Sequence, residues 1–314
     1  MKGAELARGY FEDFGKPMLE SEFPELLPFI AVGFTGSGSE HFGFDDEISR
    51  DHDFEPGFCI FLPGEDIVDR RSAFLLERAY SKLPNEYKGI PRQRLSPVGG
   101  NRHGVMRTAD FFSGAVGSPD GKLSAQGWLH IPDYALAQAV NGEIFFDNYG
   151  EVTAIREYLE NMPDDFRFKR LAGNLLIMGQ SGQYNFSRCL GHGEPEAAQL
   201  AATEFVNAAI KTVFLLKGKY APFYKWSFRA LKELDGTRET AQMLSFLLRG
   251  DNSDPKTAEE KVKKIEDVSA LIISELKEKG LSDSRSPDLE MHAYAVNGHI
   301  ADGNIRNMHI LETI

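Results

Sequence analysis

An acidic segment behind two Gly-Ser pairs contains the residues best suited to chemistry. Residues 36–54 read GSGSEHFGFDDEISRDHDF, with six Asp or Glu residues and Arg50 as the only Lys or Arg. In an extended chain, residues i and i+2 project from the same face, so we expect the carboxylates of Asp51 and Asp53 to converge. Protein-bound Mg²⁺ commonly takes one or two carboxylates together with waters and substrate phosphate oxygens. The spacing therefore predicts a magnesium site at Asp51 and Asp53.

The Gly-Ser pairs themselves predict a phosphate-binding turn. Gly36 and Gly38 allow backbone N–H groups to approach an anion closely, and Ser37 or Ser39 is a suitable first residue for a short helix. A phosphate held beside a divalent metal ion is the arrangement used for phosphoryl or nucleotidyl transfer.

Three other motifs do not fit this segment. A G-x-x-x-x-G-K-[ST] loop requires Lys where Ser39 stands, and a dinucleotide fingerprint that starts at Gly36 requires Gly at His41. A calcium loop that starts at Asp45 requires Gly and Glu where Arg50 and Pro56 stand. These motifs are therefore excluded.

A simpler reading applies to the other acids of the segment. We expect Asp45, Asp46 and Glu47 to be solvated in a surface loop, and His52 to point toward the core. Alternating acids beside an apolar strand are harder to explain by packing, so the metal-site interpretation is kept for Asp51 and Asp53.

The predicted secondary structure changes near residue 150, from short strands to long helices. Short apolar runs at 29–34, 58–62, 105–112 and 143–146 predict strands, the last of them after an Asn141-Gly142 turn. From residue 151 onward, long helical periodicities predict a helical bundle. One helix is expected to end at Gly191 and the next to start at Pro195. A third is expected to have Pro222 in its first turn. We predict an α/β (α+β) domain over residues 1–150 and a helical domain over residues 151–314.

Composition limits the partners. The chain has 314 residues and a net charge of −12, which argues against broad binding to nucleic acid or to an anionic membrane. Small-molecule or protein partners are expected instead. Cys59 and Cys189 lack metal-ligand spacing, and neither an N-terminal signal peptide nor a long apolar run is present. These features predict reduced thiols and a cytoplasmic location.

The motifs resemble those of a known superfamily. GSGS followed by SRDHDF resembles the G-[GS]…D-x-D signature of the polymerase-β-like nucleotidyltransferases. The blocks GFDDEISRDHDF, MGQSGQYNFSR and YAPFYKWSFRAL, spread over residues 25–240, resemble an uncharacterised bacterial nucleotidyltransferase-like family. The resemblance implies a nucleotidyltransferase domain joined to a helical domain, with ATP and Mg²⁺ in a cleft between them and transfer of AMP to a hydroxyl.

The superfamily usually places a third carboxylate on a later strand. Here the strand expected over residues 105–112 has Met106 and Arg107 at its centre and Asp110 displaced toward its end, so Asp110 is the candidate third acid. Asp147 is more readily explained by a structural role. Without a third acid, the alternative is a non-catalytic nucleotide-binding module. A helical partner-binding protein with an incidental acidic loop is a further alternative.

Polar residues interrupt one apolar helix of the second half. Gln180, Tyr184 and Arg188 recur every four residues and share a face, with Gln183 beside them. This face either binds the hydroxyl-bearing acceptor or forms a polar seam between the domains. Because it brings little negative charge, it favours a polyhydroxyl or a protein hydroxyl over a polycation.

Two cations on a later helix are candidates for nucleotide binding. Lys225 and Arg229 lie four residues apart, and an ammonium beside a triphosphate would stabilise the leaving pyrophosphate. The resemblance favours Lys225, while an ordinary salt bridge remains the alternative for Arg229. The neighbouring aromatic residues are expected to belong mainly to the core, namely Tyr220, Phe223, Tyr224, Trp226 and Phe228.

Overall fold

The computed structural model describes residues 1–48, 54–92 and 102–313. The chain packs into two compact units, unit 1 (Met1–Leu123 and Ala135–Asn161) and unit 2 (Ser124–Tyr134 and Met162–Ile314). Asp51 and Asp53 lie outside the described residues. The predicted domain limits of 1–150 and 151–314 stay a prediction.

Six strands and fifteen α-helices are present in the described part of the chain. The strands are β1 (Ala31–Phe34), β2 (Cys59–Leu62), β3 (Glu86–Tyr87), β4 (Ile90–Pro91), β5 (Gly104–Arg107) and β6 (Glu143–Asp147). The helices are α1 (Gly3–Tyr10), α2 (Lys16–Glu22), α3 (Arg70–Ser81), α4 (Thr108–Val116), α5 (Ala125–His130), α6 (Asp133–Val140), α7 (Glu151–Glu160), α8 (Asp164–Met178), α9 (Ser187–Gly191), α10 (Pro195–Leu216), α11 (Tyr224–Glu233), α12 (Arg238–Arg249), α13 (Pro255–Glu278), α14 (Leu289–Gly298) and α15 (Gly303–Asn307).

A four-stranded mixed sheet forms the centre of unit 1. The strand order is β5-β2-β1-β6. β1 is antiparallel to β2 and β6, whereas β2 is parallel to β5. Every residue of β1 and β2 is buried, which explains why both strands are continuous apolar runs rather than alternating ones. The mixed α+β class and the strands predicted at 29–34, 58–62 and 143–146 are confirmed.

The third predicted strand is wrong in its C-terminal half. β5 ends at Arg107, and Thr108 begins α4. The Arg107 guanidinium donates to the backbone oxygens of Pro63 (2.6 Å) and Val68 (2.8 Å), which ties the end of the strand to the following loop. Asp110 consequently lies in the first turn of a helix, where a carboxylate interacts favourably with the helix dipole.

Unit 2 is helical, as predicted for this part of the sequence. Its core brings together apolar side chains from α8, α10, α12, α13 and α14. The helix end at Gly191 and the helix start at Pro195 are confirmed. The helix expected to open with Pro222 instead begins at Tyr224, because Phe223 is still extended. Among the described residues, we find no helix with the length and apolar composition needed to cross a membrane.

A π-helical segment at Gly179–Phe186 joins α8 to α9 without a break. Two glycines let this wider helix pack closely. A Cβ on Gly182 would lie 2.8 Å from Phe205 Cε2 of α10, and a Cβ on Gly179 would lie 3.2 Å from the backbone nitrogen of Glu290 in α14. The spacing of glycines in MGQSGQYNF is therefore explained by close contact with two neighbouring helices.

A buried lysine anchors the C-terminal part of unit 2. Lys169 Nζ donates to Asn297 Oδ1 (3.0 Å) and to the backbone oxygens of Arg306 (3.3 Å) and Met308 (2.7 Å). These acceptors satisfy the ammonium, whose desolvation would otherwise be costly. Burial nevertheless lowers the pKa of Lys169.

We expect Gly182→Ala to destabilise unit 2 by about 1–3 kcal/mol, because the fully buried Phe205 ring cannot move away without disturbing the core. Urea denaturation followed by tryptophan fluorescence measures the effect, since Trp128 and Trp226 both lie in unit 2. The control is Gly298→Ala, where a Cβ meets nothing within 4 Å. Equal stability of the two variants would contradict this account of the π-helical segment.

Candidate functional site

The Gly-Ser turn, residues 36–39, follows directly on the central strand of unit 1. β1 ends at Phe34, and a 3₁₀ helix runs from Ser39 to Phe42. Gly36 has a φ of +140°, which side-chain-bearing residues rarely adopt. The predicted order of strand, Gly-Ser turn and short helix is confirmed.

Asn141 fixes the backbone of the turn. Its Nδ2 donates to the Gly36 oxygen (2.7 Å), and its Oδ1 accepts from the Gly36 nitrogen (3.1 Å) and from Thr35 Oγ1 (3.0 Å). Gly142 follows with a φ of +65°, and a Cβ there would overlap the Phe34 carbonyl oxygen. The Asn-Gly pair is therefore required both for the turn before β6 and for the shape of the Gly-Ser turn.

Arg156 of α7 contacts Thr35 and the backbone of the turn before β6. Its Nη1 donates to the Asn141 oxygen (2.7 Å) and to Thr35 Oγ1 (3.3 Å), and its Nη2 donates to the Val140 oxygen (2.7 Å). Sequence reasoning missed Asn141 and Arg156. The Asn-Gly pair indicated a turn, but its contact with residues 35 and 36 depends on the pairing of β1 with β6.

The turn keeps two backbone donors for a ligand. Among the described residues, the N–H groups of Ser37 and Gly38 have no hydrogen-bond acceptor, whereas that of Gly36 is used by Asn141. Ser37 is exposed and Ser39 is buried. Successive backbone N–H groups that converge in a turn can bind an anion.

A carboxyl group lies beneath the turn. A Cβ on Gly38 would overlap the Glu40 carboxyl group, so a larger residue there would displace that side chain. Glu40 Oε1 lies 3.9 Å from Arg102 Nη1 and has no hydrogen-bond partner among the described residues. Burial raises the pKa of Glu40, which favours its neutral form. This residue was not predicted, although it directly follows GSGS in the sequence.

Two buried histidines complete this polar cluster. The rings of His41 and His103 both pack against Phe34, with centroids 4.2 Å and 5.4 Å from its centroid, and lie 5.9 Å from each other. Burial lowers the pKa of both histidines, and that of His103 falls to about 4, with smaller contributions from Arg102 and Arg92. Both imidazoles are therefore neutral near pH 7.

Two other acids of unit 1 have structural roles. Asp45 is buried rather than solvated, because its Oδ2 accepts from the Gly3 backbone nitrogen (3.0 Å) at the start of α1. Asp147 accepts from the backbone nitrogens of Gly150 (2.7 Å) and Thr153 (2.7 Å) at the start of α7, in agreement with the structural interpretation. Asp110 is exposed on α4.

The predicted metal ligands cannot be placed. Asp51 and Asp53 fall outside the described residues. Within the described ranges, no three His, Cys, Asp or Glu side chains are grouped in a way that would hold a metal ion. The magnesium site at Asp51 and Asp53 therefore stays a prediction.

The predicted acceptor face lines a cavity in unit 2. Gln180, Gln183 and Tyr184 of the π-helical segment form one side of a cavity of about 550 Å³, and Asp288 and Glu290 near the start of α14 contribute to the other. Arg188 does not line the cavity, and its guanidinium carbon lies 5.0 Å from the centre of the Tyr184 ring. Three of the four residues predicted to bind the acceptor therefore line the same cavity, and their role as an acceptor site stays a prediction.

Gln183 already has internal partners. Its Nε2 donates to Glu266 Oε2 (2.8 Å) and to the Pro287 oxygen (3.1 Å), and its Oε1 accepts from the Leu289 nitrogen (2.8 Å). Its amide thus holds the start of α14 against the π-helical segment. Gln180 and Tyr184, which are both exposed, are better placed for a ligand.

The carboxylates of Asp288 and Glu290 change the charge expected in this cavity. Asp288 Oδ2 accepts from Ser286 Oγ (3.1 Å), and Glu290 Oε1 accepts from Tyr294 Oη (3.1 Å). Both acids retain further acceptor capacity. The predicted preference for a polyhydroxyl or protein hydroxyl over a polycation assumed that this face has little negative charge. The two carboxylates in the cavity contradict that assumption.

Lys225 and Arg229 lie on α11 of unit 2, Lys225 exposed and Arg229 partly buried. Their predicted contacts with nucleotide phosphates stay predictions. The aromatic residues around them are not all in the core as expected. Tyr224 is 73% exposed and Phe223 is 38% exposed.

We expect the stability of unit 1 to fall as the pH is lowered from about 6.5 to about 4. His103 has a pKa of about 4 in the folded chain and about 6.5 when unfolded, so the unfolded chain binds the proton first. Each pH unit across this window costs up to about 1.4 kcal/mol. His41 acts in the same direction, and the raised pKa of Glu40 opposes it.

Urea denaturation followed by circular dichroism at several pH values tests this expectation. His103→Leu should flatten the acid limb of the stability profile, whereas His130→Leu, at an exposed site in unit 2, should leave it unchanged. An unaltered acid limb in His103→Leu would rule out His103 as its source.

Comparison with known proteins gives two similarities. The sequence profile of a family described as a domain of unknown function, DUF4037, matches residues 128–227. A crystal structure of a nucleotidyltransferase-like protein from Exiguobacterium sibiricum is similar at 12% identity, over 85% of this chain and 77% of that one, with a TM-score of 0.36. No curated protein matches the chain. The DUF4037 match covers the end of α5, then α6, β6, α7, α8, the π-helical segment, α9, α10 and the first residues of α11.

Proposed function

We propose that this chain is a nucleotidyltransferase. It uses ATP with Mg²⁺ and transfers a nucleotide, AMP in the simplest case, to a hydroxyl of a small molecule or a protein. The observation that carries the proposal is the Gly-Ser turn, whose backbone is clamped by Asn141 while the amides of Ser37 and Gly38 remain available. Donors fixed in advance stabilise negative charge without reorganising.

The residues beside the turn support phosphate binding. Burial raises the pKa of Glu40, which favours the neutral form of this carboxyl group, the form that repels a phosphate least. Arg102 adds a positive charge 3.9 Å from Glu40. The pair Asp51-x-Asp53 follows in the sequence with the spacing suited to Mg²⁺, which would neutralise charge on the phosphates.

The proposed reaction is a displacement at the α-phosphorus of ATP. The acceptor hydroxyl oxygen forms a bond to that phosphorus, and the anhydride bond to the β-phosphate breaks. Pyrophosphate leaves with the electron pair, and the hydroxyl proton passes to solvent. Lys225 would stabilise the pyrophosphate through its ammonium.

The cavity lined by Gln180 and Tyr184 supports an acceptor of moderate size. Its volume of about 550 Å³ is in the range of small-molecule sites. The amide of Gln180 and the hydroxyl of Tyr184 suit a ligand with hydroxyl groups. The carboxylates of Asp288 and Glu290 favour an acceptor that also carries a positive charge.

A non-catalytic nucleotide-binding module is the second candidate. The observation in its favour is that β5 carries only Gly, Val, Met and Arg, while Asp110 is exposed on α4. With two acids alone, a chain can bind one metal ion and a nucleotide without efficient turnover.

Incubation with α-labelled ATP, Mg²⁺ and a cell lysate as the source of acceptor separates the two candidates. Pyrophosphate release together with label on a product supports the transferase. ATP binding without pyrophosphate release supports the binding module, and the absence of ATP binding contradicts both.

We expect Asp51→Ala and Asp53→Ala each to abolish Mg²⁺-dependent ATP binding or turnover while the fold is retained. Isothermal titration with ATP in the presence and absence of Mg²⁺ measures this, and circular dichroism monitors folding. Glu47→Ala is the matched control, because Glu47 is an exposed acid of the same segment. Full Mg²⁺-dependent binding in both aspartate variants would show that the metal lies elsewhere.

Substitutions in the cavity should affect the acceptor and not ATP. Once labelling has identified a product, we expect Tyr184→Phe and Gln180→Ala to raise the KM for the acceptor or lower kcat/KM, with ATP affinity nearly unchanged. Steady-state kinetics, with the concentration of the acceptor and of ATP varied in turn, measures KM and kcat for each substrate. A loss of ATP affinity with unchanged acceptor kinetics would move this face to the nucleotide side of the site.

A further inference from the structure

The carboxyl group of Glu40 is packed against the Gly-Ser turn. Glu40 Oε2 lies 2.6 Å from the position that a Cβ on Gly38 would take. The same side chain touches the start of α1, since a Cβ on Gly3 would lie 2.7 Å from Glu40 Cβ. Glu40 is 9% exposed, and its Oε1 has no hydrogen-bond partner among the described residues. An unpaired carboxyl oxygen is therefore confined beside one of the two amides that remain available for a ligand.

The groups closest to Glu40 do not satisfy it as a carboxylate. Arg102 Nη1 lies 3.9 Å from Glu40 Oε1, which is beyond hydrogen-bond distance. His41 Nε2 lies 3.4 Å from the same oxygen, but burial lowers the pKa of His41, so this imidazole is neutral near pH 7. The hydroxyl of Ser39 donates to Oε2 at 3.4 Å. A close ion pair therefore does not explain why an acid is buried here.

The other titratable groups of this cluster supply no positive charge to Glu40 either. Asp45 is a second buried acid, and Lys2 Nζ lies 3.7 Å from its carboxylate. The His103 ring lies 5.9 Å from that of His41, and its pKa of about 4 keeps it neutral near pH 7. Within the described part of unit 1, the charge of Glu40 is thus compensated only by a distant guanidinium.

A phosphate on the turn would add negative charge beside Glu40. Its oxygens would accept from the amides of Ser37 and Gly38, and a like charge nearby disfavours the ionised form of a carboxyl group. Burial already raises the pKa of Glu40 in the ligand-free chain, against a smaller opposing effect of Arg102. Since Oε1 has no hydrogen bond to lose, protonation of this carboxyl group costs little.

We propose that phosphate binding at the Gly-Ser turn is coupled to protonation of Glu40, so that one proton is taken up from solvent as the anion binds and is returned when the anion leaves. This inference rests on the proposed function, since the anion is the phosphate part of the same nucleotide, and it adds control of that site by pH. The affinity for the anion falls as the pH rises through the range in which Glu40 ionises.

Isothermal titration with ATP at constant Mg²⁺ and at several pH values tests the inference. The wild-type chain is compared with Glu40→Gln, which keeps the size of the side chain and its neutral form. We expect Glu40→Gln to bind ATP about 10-fold more tightly than the wild-type chain at the alkaline end of the range and equally at the acidic end. ATP and Mg²⁺ are the same in both titrations, so their own ionisation cancels in the comparison.

The proton itself is measured from the dependence of the binding enthalpy on the ionisation enthalpy of the buffer. The wild-type chain should take up more protons on binding ATP than Glu40→Gln does. Tripolyphosphate should show the same coupling, and adenosine, which has no phosphate, should show none. Glu47→Gln is the matched control, because it removes an exposed acid of the same segment and should leave the pH dependence unchanged. Glu40→Leu is a second variant without the carboxyl group, and thermal denaturation confirms that each variant is folded.

The outcomes separate this inference from the proposed function. If ATP binds with the same pH dependence in the wild-type chain and in Glu40→Gln, the coupling is absent and the transferase proposal stands. If the coupling is present but no pyrophosphate is released, the inference stands and the transferase fails. The absence of ATP binding by the wild-type chain contradicts both.

Two other results overturn the inference. Weaker ATP binding by Glu40→Gln at every pH would show that the carboxylate itself holds the metal ion or the nucleotide. A pH dependence that persists in Glu40→Gln and is lost in His41→Gln or His103→Gln would assign the proton to a histidine.

Discussion

The two hydrogen bonds between the Asn141 amide and the Gly36 backbone are the constraint on which the candidate site of unit 1 depends. Asn141 lies in the turn before β6, and Gly36 follows β1, so the antiparallel pairing of these strands brings the two residues together. The amide makes the hydrogen bonds that a further strand residue would otherwise make, so both backbone polar groups of Gly36 are paired where the chain leaves the sheet. Arg156 donates to the backbone oxygens of Val140 and Asn141 and so holds Asn141 in place. The backbone at Gly36 is therefore fixed by contacts within unit 1.

The polar cluster below the turn carries an energetic cost. Glu40 Oε1, His41 Nδ1 and His103 Nδ1 are buried without a hydrogen-bond partner among the described residues. Each such group costs about 1–3 kcal/mol relative to a satisfied one. An unsatisfied buried group is explained by a catalytic role, by strain, or by a bound water or ion. The position of this cluster beneath two available amides agrees with a functional role for the turn and is hard to explain by stability alone.

Sequence patterns predicted the elements of this fold better than the contacts of its site. Continuous apolar runs identified β1 and β2, and the caps at Gly191 and Pro195 placed helix ends correctly, because these signals are local. The strand predicted through Asp110 failed because VMRTADFF has both strand and helix propensity, and the Arg107 hydrogen bonds end the strand early. Asn141 and Glu40 could not be predicted as partners of the Gly-Ser turn. Their roles depend on strand pairing and on a glycine that leaves room for a side chain, and neither is visible as a spacing of residue types.

The π-helical segment at Gly179–Phe186 also sets the rotational phase of the chain that follows it. In an α-helix, one residue more or less turns everything downstream by about 100°, so the number of residues in this segment decides which side of α9 faces the core. Phe186 and Gly182 are buried, while Tyr184 and Asn185 are exposed. Deletion of a single residue here would rotate Arg188 away from Tyr184 and direct other side chains of α9 toward α10. Related chains are therefore expected to keep the length of this segment as well as its two close-packed glycines, Gly179 and Gly182.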